Sequence, residues 1–463
     1  ISFNHFYSPT AEDPGSLTRE QAAVNPKQAN ARNLFFSTGE KVEQQSFGMK
    51  YEKPFSMFHN LTLTAYLIRR NFSNRLPFVS GGIVEFDRIA PSASIKMVYD
   101  KEGIHDSIKR ESHWAETKDT PTLTLFLDDL SDRSLRRVKQ LGVVGVSMGG
   151  LKTGDLETWT DNILKEHIER VNQADLQLRN VMFNPSDRIR FGKTGRDEDL
   201  EIIIKAIEIA GRQGLPVMEY NFYAHRIVEG YKVVPGRGGS GLMDFNYDRV
   251  KDLPPLVGEE SHSIDEMWDN VSYFLKAVIP TAEKANVRLA LHPNDPPAPI
   301  SRGSGQIMST LDGWKRLCDI VPSPYNGITF DCGVTKELGH DPVKVARYFG
   351  ERDQINHVHF RNVVTRTPNI DYTEVWIDEG QVDMFAVMKE LVRQKYPRLI
   401  YPEHPPQNDS DNEFPFEGIS ATTYTGFAYT VGYARAMMQA ALASQSAKPV
   451  SYTHLTLPTI LLV

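Results

Sequence analysis

Gly327-Ile-Thr-Phe-Asp331 is a short apolar run that ends on a carboxylate, and Ile355-Asn-His-Val-His359, one helical stretch further on, ends on an imidazole. Val287-Arg-Leu-Ala-Leu-His292 before them and Leu399-Ile-Tyr-Pro-Glu403 after them have the same form. Short apolar runs of about 4 to 8 residues between helical patterns read as buried parallel strands. Their spacing, roughly 30 to 45 residues, is that of successive strand-plus-helix units in a (β/α)8 barrel with insertions. His292, Asp331, His359 and Glu403 would then meet at one mouth, at the C-terminal ends of neighbouring strands.

Outward from this core the same alternation continues. Thr122-Leu-Thr-Leu-Phe-Leu127, Val143-Val-Gly-Val-Ser-Met148, Arg179-Asn-Val-Met-Phe183 and Leu215-Pro-Val-Met-Glu-Tyr220 are strand-like, with helical patterns between them. The helix over Asp197 to Gln213 is closed by Gly214, a usual C-terminal stop. Ser263-Ile-Asp-Glu266 is a capping box, and Met267, Trp268, Val271, Phe274, Leu275 and Val278 follow at helical spacing. Eight strands separated by helices, without the Gly-rich first turn of an open doubly wound sheet, predict an α/β fold, a (β/α)8 TIM barrel over residues 119–447. Residues 1–118 do not share the period. Runs at 81–86 and 94–99 suggest a mostly β or irregular N-terminal extension. Residues 448–463 read as a non-native or disordered tail. The segment from Phe222 to about Glu260 is too long for an ordinary βα connection and is expected to lie over the mouth as a lid or substrate loop. Gly236-Arg-Gly-Gly-Ser-Gly241 within it lacks the P-loop lysine and reads as flexible.

Composition limits the partners. Hydrophobic content of 40% and charged content of 24% fit a globular chain, and a net charge of -7 argues against a nucleic-acid surface. No apolar run approaches the ~20 residues of a membrane span. Cys318 and Cys332 are the only cysteines, so no disulfide framework is implied, and Cys318 reads as a core residue. These features favour a cytoplasmic chain. Export stays open, because Ile1 rather than Met stands first.

Two imidazoles and two carboxylates at one mouth suit a borderline-to-hard divalent ion, Mn2+, Fe2+ or Mg2+. One such His is more often a satisfied core residue. Four on consecutive strand ends are harder to explain that way, since buried charges cost free energy unless paired or metal-bound. His357 shares a strand face with His359 by the period of two and is either an orienter or another ligand. Arg361 offers a planar fork for a substrate carboxylate. Asn221 is a candidate hydroxyl binder, Arg196 a candidate substrate contact before a helix, and Asp295 an orienter of His292 or a turn cap.

Several segments together resemble the mannonate dehydratases, within the wider xylose-isomerase-like barrels. They are Gly195-Arg-Asp197, Glu219-Tyr-Asn-Phe222, His292-Pro-Asn-Asp-Pro-Pro297, Asn326-Gly-Ile-Thr-Phe330, His359-Phe-Arg-Asn-Val363 and Pro402-Glu-His404. The resemblance spans about residues 120 to 440. It implies a metal-dependent hydro-lyase of hexuronate catabolism that takes D-mannonate to 2-keto-3-deoxy-D-gluconate and water, possessing Mn2+ or Fe2+ and often forming homo-oligomers. It places His404 in the active site as an acid/base candidate, with Tyr424 in the segment after the last strand as its partner; Tyr220 is an alternative donor near the mouth. Two departures stand out. The family has a cysteine ligand where this chain has Asp331, with Cys332 one step later. Its final motif carries Asp, with an Arg before and a Gly after, where this chain has Tyr401-Pro-Glu-His-Pro405. An all N/O quartet leaves two other readings, a sugar isomerase or epimerase and a non-catalytic carbohydrate-binding barrel.

Overall fold

The computed structural model describes residues 2–12, 39–56, 59–75, 83–99, 117–413 and 424–446. The expected tail at 448–463 lies outside the described residues. Two compact units divide the chain, Ile1–Ser112 and His113–Val463. In the first, β1 (Ser2–Glu12), β2 (Gly39–Ser56), β3 (His59–Arg75) and β4 (Ile83–Tyr99) pair in that order as an antiparallel sheet. The described part of the run expected at 81–86, residues 83–86, and the run at 94–99 belong to one strand. Pro91 lies between them, and β4 tolerates it as an edge strand, where a missing ladder N–H costs little.

The second unit is a closed barrel. Its first half runs β5 (Thr122–Leu127), α1 (Asp132–Gln140), β6 (Gly145–Lys152), α2 (Thr153–Glu157), α3 (Asp161–Asn172), β7 (Gln177–Asn184), α4 (Asp187–Arg190), α5 (Arg196–Arg212) and β8 (Val217–Tyr220). Then come β9 (Tyr231–Pro235), β10 (Gly241–Asn246), α6 (Ile264–Ala285), β11 (Arg288–Leu291), the two-residue strands β12 (Ile300–Ser301) and β13 (Ser304–Gly305), and α7 (Leu311–Ile320). The chain continues with β14 (Asn326–Asp331), α8 (Cys332–Glu337), α9 (Pro342–Gly350), β15 (Ile355–His359), β16 (Asn362–Thr367), β17 (Asp371–Val375), α10 (Met384–Arg393), β18 (Leu399–Tyr401), α11 (Asp409–Glu413) and α12 (Tyr424–Ser446). The barrel order is β5-β6-β7-β8-β11-β14-β15-β18, closed where Leu399 and Ile400 pair in parallel with Thr122 and Leu123. All eight strands are those expected, in sequence order. Among the described residues no helix is long and apolar enough to cross a membrane.

Local chemistry fixes the helices around it. Ser263 accepts from the Glu266 amide at 3.2 Å while the Glu266 carboxylate accepts from the Ser263 amide at 2.7 Å, so the predicted capping box starts α6. The buried face of α6 is the predicted one, and Cys318 on α7 is buried in the same core. Gly214 takes φ +74° just past α5, a conformation glycine adopts without penalty.

The segment after β8 is ordered rather than loose. Hairpin β9–β10 joins β16 and β17 in an antiparallel sheet of order β16-β17-β10-β9. Gly236 to Gly241, read as flexible, forms the hairpin turn, with Gly238 and Gly239 at positive φ and the Gly236 amide bonded to the Ser240 carbonyl at 2.7 Å. Two insertions distant in sequence therefore build one small sheet beside the barrel mouth.

An ion-pair cluster joins α9 to α10. Arg347, Arg393 and Gln394 all donate to the buried Glu390 carboxylate, at 3.0, 2.6 and 2.6 Å. Burial opposes its charge, but these donors outweigh it and hold its pKa at about 2. A depressed carboxylate pKa stabilises the fold above the ordinary range near 4.5 and stops doing so as pH falls toward 2. Both arginines are half exposed, so the expected contribution is about 1 to 2 kcal/mol. Glu390→Gln should lower the urea midpoint at pH 7, with the gap to wild type narrowing by pH 3; a gap independent of pH would contradict this.

Candidate metal centre

Barrel geometry sends successive side chains of a strand alternately into the barrel and out toward the helices. In β8 that rule places Glu219 inside and Tyr220 outside. In β15 it places both His357 and His359 inside. His292 follows β11, Asp331 ends β14, and Glu403 follows β18. One ligand atom from each of His292, Asp331, His359 and Glu403 lies within 4.8 Å of all the others, and all four residues are buried.

The contacts within this quartet are short. His292 Nε2 is 3.1 Å from His359 Nδ1, which is 2.9 Å from Glu403 Oε1, and His292 Nε2 is 4.0 Å from Asp331 Oδ2. Glu403 Oε1 is buried without a well-directed hydrogen bond even so. Ligand atoms held about 2.1 Å from one ion at right angles stand about 3 Å apart, the separation seen here. Charge points the same way. Six carboxylates are buried in this region, Glu219, Asp295, Asp331, Glu337, Glu374 and Glu403, against the one buried guanidinium of Arg361. The residues fit a divalent cation in donor type, spacing and charge.

The outer contacts set which nitrogen faces the cluster. His292 Nδ1 is 2.7 Å from the Pro293 carbonyl and 3.0 Å from the Tyr223 hydroxyl, so that nitrogen carries the proton and Nε2 presents its lone pair inward. Burial and the neighbouring His359 bring the His292 pKa down to about 4, which keeps it neutral, as a ligand must be. His359 differs. Burial disfavours its charge, but the carboxylates of Glu403 and Glu219 outweigh burial and raise its pKa well above the ordinary value. Burial lifts Asp331 to about 6 against the pull of Arg361. Asp331 also accepts from the Val334 amide at 2.8 Å and thereby caps α8.

His404 stands beside the quartet. Its Nδ1 is 2.9 Å from Glu374 Oε2 and its Nε2 is 3.5 Å from Glu403 Oε2. A left-handed backbone, φ 46°, turns the ring to this side although Glu403 precedes it directly; such a conformation costs a non-glycine residue about 1 to 3 kcal/mol. Burial works against its charge, yet Glu374 and Glu403 raise its pKa to about 9.

Other expected residues fall elsewhere. Tyr220 does not reach the mouth: its ring stacks on Phe183 and packs against Phe274 in the layer between barrel and helices, because β8 alternation turns it outward. Tyr424 begins α12 and lies under the Arg137 guanidinium of α1, in the outer helix layer. Arg196 lies over the Tyr273 ring of α6, 3.4 Å from its centroid. Arg361 is at the centre but is no free fork. Its Nε is 3.0 Å from Asp331 and 3.3 Å from Glu403, and one terminal nitrogen is 2.8 Å from Glu337. Carboxylates of its own chain enclose it. Asn221 remains at the strand end, bonded to Asn184 at 2.9 Å, with its own carbonyl oxygen buried and unpartnered. Asp295 accepts from Tyr231 and Arg226, both at 3.0 Å, rather than holding His292. The sulfur of Cys332 is not among the grouped ligand atoms.

Glu219, Glu374, Glu337 and Tyr223 carry contacts to which sequence reasoning gave no role. Only Glu219 had a local signal, a single acid inside an apolar strand.

A closed (β/α)8 barrel with a buried His/Asp/Glu cluster at the C-terminal ends of its strands defines a barrel protein whose mouth is consistent with a divalent-metal site. The D-mannonate dehydratase (UxuA) family model matches residues 247–447. The mannonate dehydratase of Thermotoga maritima is 30% identical over 313 residues, 58% of this chain and 85% of that protein. That of Streptococcus equi subsp. zooepidemicus is 28% identical over 298 residues, 58% of this chain and 82% of that protein. The crystal structure of mannonate dehydratase from Streptococcus suis shares the fold with a TM-score of 0.63 at 24% identity, over 73% of this chain and 99% of that one. The chain belongs to the mannonate dehydratase family.

Proposed function

We propose that this chain is a metal-dependent sugar-acid dehydratase that converts D-mannonate to 2-keto-3-deoxy-D-gluconate and water, a step of hexuronate catabolism. The observation that carries the reading is the convergence of four ligand atoms within 4.8 Å in a chain of this family. His292 through Nε2, His359 through Nδ1, and Asp331 and Glu403 through carboxylate oxygens would hold the ion. A bound divalent ion supplies Lewis-acid stabilisation for the negative charge that develops beside the substrate carboxylate. Mn2+ or Fe2+ suits this N/O set, and so does Mg2+, since no thiolate takes part.

The chain's own groups do the rest. Dehydration removes the proton on C2, breaks the C3–O bond and places a proton on the departing hydroxyl. His404 is the group we assign to that last transfer. Glu374 engages its Nδ1, which leaves Nε2 as the nitrogen that faces Glu403 and carries the mobile proton. Asn221, with its unpartnered carbonyl at the strand end, accepts from a substrate hydroxyl. The small sheet keeps His404 turned inward through Glu374 on β17.

Incubation with D-mannonate and Mn2+ should yield a 2-keto-3-deoxy acid, read by periodate-thiobarbiturate colour, and EDTA should abolish it. In His404→Asn the rate should fall by about 10^2 to 10^4 with cation binding retained. Consumption of D-mannonate without that colour would overturn the dehydratase. It would favour a second reading, an isomerase or epimerase, which draws support from Asp331 occupying the quartet where the family resemblance implies a cysteine.

A further inference from the structure

Beneath the quartet the barrel holds a second buried group, Glu219, His357 and His359, with ligand-type atoms again within 4.8 Å of one another. Glu219 is fully buried. Its Oε1 accepts from the Thr329 hydroxyl at 2.8 Å, and its Oε2 accepts from the Asn180 amide at 3.1 Å. The Asn180 carbonyl takes the Glu219 backbone amide at 3.2 Å, which fixes the orientation of that side chain. His359 Nε2 is 3.1 Å from Oε1, and His357 Nδ1 is 3.0 Å from Oε2.

An ionised carboxylate only accepts. His359 Nε2 makes no well-directed hydrogen bond, but it lies 3.1 Å from the anionic Oε1, which makes it the nitrogen of that ring where a proton is most favoured. Cation binding requires a neutral imidazole with a single N–H, displacing the extra proton that the carboxylates otherwise favour, so with Nε2 protonated it is Nδ1 that offers its lone pair. That is the nitrogen beside His292 and Glu403. We propose that Glu219 is a positioning residue for the cation site: without touching the ion, it selects Nδ1 of His359 as the ligand atom and strengthens it through its own negative charge. Asn180 from the adjacent strand β7 and Thr329 from β14 hold the carboxylate still, and His357 Nδ1 lies 3.0 Å from its far oxygen. The inference rests on the cation reading of the quartet.

The same geometry argues against a second ion in the lower group. Both oxygens of Glu219 are already engaged by a hydroxyl and an amide, and only three donor residues are present.

Mn2+ titration, followed by electron paramagnetic resonance of the free ion, tests this without reference to turnover. Wild type should bind one Mn2+ per chain. Glu219→Gln, close in size but uncharged, should bind it about 10 to 100-fold more weakly. Thr329→Val, which removes a hydrogen bond but keeps the charge, should lower the urea midpoint and leave the affinity nearly unchanged. Equal affinity in wild type and Glu219→Gln overturns the inference while the cation reading stands. Two ions per chain in wild type also overturn it. No binding in wild type overturns the cation reading and the inference with it. Should Glu219→Gln fail to fold, the Mn2+-loaded wild type decides: an ion against Nδ1 of His359 supports the assignment, and one against Nε2 overturns it.

Discussion

Glu403→Gln is expected to release the cation and to lower turnover of the sugar acid by at least about 10^3, the scale of several kcal/mol of transition-state stabilisation. Gln keeps the length of the side chain and removes one of the two anionic ligands. At the 2.9 Å contact with His359 Nδ1, a neutral amide replaces a carboxylate oxygen. The buried carboxylates outnumber the guanidinium and imidazolium groups beside them, and the ion depends on its anionic ligands. Mn2+ binding measured beside turnover separates the causes: both should fall together in Glu403→Gln, whereas His404→Asn should lose rate and keep the ion. Full Mn2+ affinity in Glu403→Gln would remove Glu403 from the ligand set.

Arg361→Met should destabilise the fold by about 3 to 5 kcal/mol, the range expected when one partner of a buried ion pair is removed. The guanidinium touches Asp331, Glu337 and Glu403 directly and faces Asp295 at 3.6 Å and Glu374 at 3.8 Å. Met fills much of the space but leaves those carboxylates facing one another. Burial already raises the Glu337 pKa well above its ordinary value, so this group is the one most easily given up. Adding Glu337→Gln to Arg361→Met should therefore restore part of the lost urea midpoint. Saturating Mn2+ should restore more, through binding to the folded state alone. A single variant with the wild-type midpoint would show that the guanidinium does not hold these acids together.

What the sequence disclosed follows from range. The barrel strands are local apolar runs whose polar terminal residues mark the mouth, so the quartet His292, Asp331, His359 and Glu403 could be named before any geometry. The start of α6 was legible because a capping box is written within four consecutive residues, Ser263 to Glu266. The small sheet was not, because Met243 pairs with Glu374 across a long separation and neither segment signals the other. Glu374, and with it the partner of His404, was hidden for the same reason. Tyr220 failed on a rule available in the sequence: the period of two that turns Glu219 inward turns Tyr220 outward. Arg361 was expected to hold a substrate carboxylate, whereas Glu337 and Asp331 close around it, an arrangement that only packing reveals. Tyr424 was attached to the mouth through a loose correspondence after the last strand, whereas it begins α12 against Arg137.

The central claim is that one cation sits among the ends of β11, β14, β15 and β18. Anomalous diffraction at the manganese edge from Mn2+-soaked crystals tests it most directly. The expected result is a single peak within bonding distance of His292 Nε2, Asp331, His359 Nδ1 and Glu403. A peak instead among Asp295, Glu374 and His404, or among Glu219, His357 and His359 alone, or no peak at all, would contradict it.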